Sequence, residues 1–65
     1  MNITREEAIE MYARFLTARH NRTASELARK KAAFLKDIGD IEGQKIWNEI
    51  ADVAEKRNPA KSVKN

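Results

Sequence analysis

Lys36-Asp37-Ile38-Gly39-Asp40-Ile41-Glu42 decides the fold of this chain. Glycine adopts, without steric cost, the left-handed backbone conformation that commonly ends a helix. Aspartate accepts hydrogen bonds from the free amides that open the next one. Gly39 therefore ends one helix and Asp40 caps another, with Ile41 and Glu42 in its first turn. A carboxylate in that turn suits the positive end of the helix dipole. The chain turns back on itself here, and the stretch that follows carries Trp47, the only tryptophan.

Downstream of the turn, Gly43, Ile46, Trp47, Ile50, Val53 and Ala54 recur at helical spacing. Asn58-Pro59 stops the pattern, because the residue before a proline avoids helical geometry. Gly43 lies inside the stripe. Glycine costs about 1 kcal/mol against alanine in a helix, so close approach of a neighbouring backbone is expected there. Upstream of the turn, Ala24, Leu27, Ala28, Ala32, Phe34, Leu35 and Ile38 form the expected buried face of another helix. It starts behind Thr23-Ala24-Ser25-Glu26, which has capping-box spacing. Lys31 falls inside this apolar arc. Its stem is expected to cover the core, with the ammonium in water or over the Trp47 ring.

The first helix opens with a second capping box, Thr4-Arg5-Glu6-Glu7, and Ile3 is placed to staple onto Ala8. Its apolar positions are Ala8, Ile9, Met11, Tyr12, Ala13, Phe15, Leu16 and Ala18. They cover about 220° of the helical wheel, where a surface helix needs about 100°. This helix is therefore either central to the fold or covered by a second protein. The chain reads as all-α, a small three-helix bundle with helices near 5–19, 24–38 and 41–57. Nothing between residues 19 and 23 is a strict breaker, so the alternative is one long helix 5–38 folded against 41–57 as a helical hairpin. Residues 1–58 form a single helical domain, and 59–65 a flexible basic tail. Tyr12, Phe15, Phe34 and Trp47 are expected to pack in the core.

Several kinds of chemistry lack the residues they need. There is no cysteine, so neither a disulfide nor a thiolate metal site can form. His20 is the only histidine, and it sits in a polar stretch. Asp37, Asp40 and Glu42 cluster at the turn without the spacing of a calcium loop. Gly39 and Gly43 are the only glycines, so no phosphate-cradling loop exists. The expected protein is not an enzyme and has no catalytic residue, cofactor, metal or small-molecule substrate. No run approaches the roughly 20 apolar residues of a membrane span. The opening residues Asn2, Thr4, Glu6 and Glu7 do not read as a signal peptide. A cytoplasmic location with no membrane contact is expected.

Charge comes in blocks. Residues 1–13 carry a net −2, residues 14–36 a net +6, residues 37–55 a net −5 and residues 56–65 a net +4. The simplest reading is internal pairing of the basic second helix with the acidic third in an antiparallel hairpin. A sharper one is a phosphate-binding face, with Arg29 and Lys36 turned away from the apolar stripe and Arg14 and Arg22 extending it. The third helix is no groove reader, because Glu42, Glu49, Asp52 and Glu55 would be repelled by phosphates. Two functions follow. The leading one is a non-enzymatic protein–protein interaction module, whose partner is another protein or a second copy, met at Met11, Phe15 and Ala18. The alternative is a small nucleic-acid-binding protein that uses Arg14, Arg22, Arg29 and Lys36 together with the basic tail.

Overall fold

Thr4 starts the first helix through both halves of its capping box. The Thr4 hydroxyl accepts the Glu7 amide at 3.0 Å, and the Glu7 carboxylate accepts the Thr4 amide at 3.0 Å. Helix α1 spans Arg5–His20. A 3-10 turn, Asn21–Thr23, leads into α2, Ala24–Asp37, and α3 spans Ile41–Arg57. The computed structural model describes residues 2–57, helical from residue 5 onward apart from the turn at 38–40, with no strand among them. The Asn58-Pro59 stop and the basic tail lie outside the described residues. Among the described residues, no helix is long and apolar enough to cross a membrane.

The two junctions are built differently. After α2, the Gly39 amide donates to the Lys36 carbonyl at 3.0 Å and the Asp40 amide to the Leu35 carbonyl at 2.8 Å. This crossed pair is a Schellman ending, with Gly39 at φ +90°. Asp40 then accepts the Gly43 amide on Oδ1 at 3.0 Å, so one residue closes α2 and caps α3. That contact also accounts for Gly43. A Cβ there would lie 2.7 Å from the Asp40 carboxylate, so the neighbour is the cap and not the backbone of another helix.

Between α1 and α2 the break is Asn21, at φ 52° and ψ −124°. A side chain is strained at that angle pair, which lies outside the left-handed helical basin. Residues 5–37 are therefore helical without a gap, yet they are not one α-helix. The capping box expected at Thr23 does not form. Thr23 has helical dihedrals, and its hydroxyl donates to the His20 carbonyl at 2.8 Å instead of accepting from α2. A cap residue needs an extended backbone to aim its oxygen at the free amides, and the 3-10 turn denies Thr23 that geometry.

α2 and α3 pack as an antiparallel hairpin, and α1 meets α3 more than it meets α2. The hairpin seam is made of small residues. Ala24, Ala28 and Ala32 recur every four positions along α2, and Ala51 and Ala54 answer from α3, all buried. Methyl side chains let helix axes approach to about 8 Å, the close end of the usual range. Among the described residues, only Ile9, Leu16 and Ile50 are both large and buried. Charge ties the hairpin on its outside, where the Arg29 guanidinium meets Asp52 at 2.8 Å and Asn48 at 3.2 Å.

Helix α1 lies across this hairpin. Glu10 reaches Arg57 at 3.6 Å, while Tyr12, only two residues on, stacks against Trp47 at 5.0 Å. Ten residues of α3 separate those partners, about 15 Å of helix, so opposite flanks of α1 face opposite ends of α3. Arg5 anchors the start of α1 on Glu49 at 3.0 Å. The result is flat and open, with extents of 38 × 33 × 16 Å and a radius of gyration of 12.2 Å. A compact chain of this length would have about 10–11 Å.

Several residues expected in the core are outside it. Tyr12, Phe15, Phe34 and Ile38 are exposed, as are Ala8 and, at 37 %, Leu27; Met11 and Ala18, expected at a partner-binding surface, are exposed as well. In α2 the reason is angular. Phe34 follows Ala32 by two positions, which turns it about 160° away at 100° per residue. Leu27, Lys31, Phe34 and Ile38 thus form a second stripe beside the buried alanines.

Candidate protein-binding face

Four of the exposed large apolar side chains, Ile3, Met11, Tyr12 and Phe15, lie on or just before α1. Ile3, Ala8, Met11, Tyr12 and Phe15 line one shallow groove of about 330 Å³ with almost wholly apolar walls. Each position follows from local structure. The capping box fixes where α1 starts, which sets Ile3 ahead of its first turn. Burial of Ile9, Ala13 and Leu16 against the hairpin then turns Met11, Phe15 and Ala18 outward. Met11 and Phe15 are 54 % and 53 % exposed.

The face continues beyond α1 through edge-to-face ring contacts. Phe15 meets Tyr12 edge-to-face at 6.1 Å and 87°, and Tyr12 meets Trp47 at 5.0 Å and 66°. Each such pair adds about 0.5–1.5 kcal/mol beyond area burial. Half-buried Trp47 carries the series to α2, where the Lys31 ammonium lies 5.9 Å from its centroid and 6.0 Å from that of Phe34. Arg19 covers the other end, its guanidinium carbon 5.4 Å from the Phe15 centroid. The ring contacts therefore join α1 to α3, and Lys31 bridges from Trp47 to Phe34 on α2. The expected Lys31–Trp47 contact forms, although the Lys31 side chain is exposed.

Met11, Phe15 and Ala18 share the outward side of α1. The reading from sequence did not include Ile3, Tyr12, Phe34 and Trp47 in this surface. A usable signal was present in α2: alanines spaced by four define a narrow seam, and aromatic residues two positions off that spacing cannot enter it.

The basic residues are not assembled in the same way. Arg29 is occupied by Asp52 and Asn48 of α3. Exposed outside the buried alanine seam, it reaches across to the acidic helix. Arg14, Arg22 and Lys36 are exposed on α1, the 3-10 turn and the last turn of α2 respectively. Among the described residues, no three His, Asp or Glu side chains converge as metal ligands. Comparison with protein families, with curated proteins and with solved structures found no match.

Proposed function

We propose that this chain is a small, non-enzymatic cytoplasmic module that recognises a protein through the outward face of α1 and the rings beside it. One observation carries the reading. Three aromatic side chains, Tyr12, Phe15 and Phe34, are about half in water while Ala13, Ala24, Ala28, Ala51 and Ala54 are wholly buried. Contiguous apolar surface rimmed by charge is the usual mark of an association site. In this reading the chain is a three-helix scaffold whose apolar surface is completed by its partner. The nucleic-acid alternative is less well supported, because Arg29, at the centre of its proposed face, is already neutralised by Asp52.

The test is site-specific photocrosslinking in the cell. A benzophenone side chain replacing Phe15 is expected to give a crosslinked protein band. The same group at Lys45, exposed on α3, is expected to give none. Equal labelling from both positions, or none from position 15, would refute the reading.

A further inference from the structure

The outward side of α1 changes charge along its length. Glu7 and Glu10 lie in its first half, Arg14 and Arg19 in its second. Ile3, Glu7, Glu10, Met11 and Arg14 line a common groove, so acid and base flank the same apolar strip. The free groups have capacity to spare. Glu7 places one oxygen on the Thr4 amide, and Glu10 holds Arg57 only at 3.6 Å.

An order of acid, apolar strip and base on one helix complements itself in one direction only. Two such helices laid antiparallel bring Glu7 and Glu10 of each against Arg14 and Arg19 of the other. A two-fold axis repeats the match. Laid parallel, like charges would face each other along the whole contact. Area points the same way. Ile3, Met11, Tyr12 and Phe15 are each about half exposed, which leaves roughly 400 Å² of apolar surface at about 200 Å² per large side chain. The arginine stems and Ala18 bring the strip toward the lower end of the roughly 800 Å² that each partner of a specific complex contributes.

We infer that the occupant of this face is a second copy of the chain, docked α1 against α1 in an antiparallel, two-fold symmetric pair; this rests on the reading of the face as a protein-binding surface. In the register centred between Met11 and Phe15, Met11 packs on the other copy's Phe15, Ala8 on its Ala18, and Glu7 reaches its Arg19.

Sedimentation equilibrium of the full chain from micromolar to millimolar concentration tests this. The expected result is a reversible dimer with a dissociation constant of about 10–100 μM, as a small interface allows. Phe15→Glu is expected to weaken it by about 100-fold or more, by setting a charge at the centre of the contact. Two further variants test the charge order, with helix content checked by circular dichroism. Glu7→Lys with Glu10→Lys, and Arg14→Glu with Arg19→Glu, should each sediment as monomers, and an equimolar mixture should form a heterodimer. A wild-type chain that stays monomeric at millimolar concentration overturns the inference, as does a dimer indifferent to both charge reversals. The crosslink from position 15 separates this failure from that of the function itself. A product at twice the chain mass supports both, whereas a product with a different protein retains the interaction module and removes the self-paired dimer.

Discussion

The seam between α2 and α3 and the outward face of α1 invert the usual relation between size and burial. In the seam, Ala28 and Ala51 are 0 % exposed. On the open face, Phe15 keeps about half its surface in water. Helix α2 carries both patterns on one cylinder, with Ala24, Ala28 and Ala32 inward and Leu27, Phe34 and Ile38 beside them and exposed. Burial in this molecule follows steric fit between helices, not the hydrophobicity of individual residues. Small side chains allow two backbones to close, and once they have closed there is no room for a ring. Several larger apolar groups, Phe15 and Phe34 among them, are left about half exposed.

The contrast predicts unequal responses to substitution. The largest effect is expected at Ile50, one of three large buried side chains among the described residues. Ile50→Ala should lower the unfolding free energy by about 3–4 kcal/mol through lost transfer energy and a cavity, read by urea denaturation at low protein concentration. A loss under 1 kcal/mol would mean that the interior is not packed around it. Enlarging the seam comes next. Ala28→Leu should cost about 2–3 kcal/mol, because the added carbons force the helices apart; a neutral or stabilising result would show that the seam has slack. The smallest effect is expected at the open face. Phe34→Ala should change the stability of the dilute monomer by less than about 0.5 kcal/mol, as for a surface position. A cost above 1.5 kcal/mol would place Phe34 in the folded interior and erase the distinction between the two regions.

What could be read from residue types alone was local. Thr4 with Glu7, and Gly39 with Asp40, each define a helix end through backbone hydrogen bonds made within a few residues. The pairing of a basic helix with an acidic one was also legible, though its specific form, Arg29 on Asp52 and Asn48, was not. Two kinds of expectation failed for physical reasons. The Thr23 cap needs a backbone angle that only the 3-10 turn decides. The core of α2 was read by counting apolar residues on a wide arc, which treats Phe34 and Ala32 as equivalent. They lie about 160° apart around the helix, so only Ala32 faces the seam. A break between residues 19 and 24 was legible, but its seat at Asn21 was not, since asparagine tolerates a positive φ without demanding one. In the candidate face, Met11, Phe15 and Ala18 are neighbours along one helix and could be grouped from spacing. Trp47 and Phe34 join them only because α1 crosses the hairpin, a matter of long-range packing.

Asp40 gives the hairpin a mechanical property. Its amide secures the end of α2 and its carboxylate secures the start of α3, so no residue between the two helices is free to absorb a disturbance. Fraying at either end must pull on the other. The amide protons of Asp40 and Gly43 should therefore exchange with solvent in a single opening event, and an inserted residue at this corner would uncouple two helices that otherwise open and close as one body.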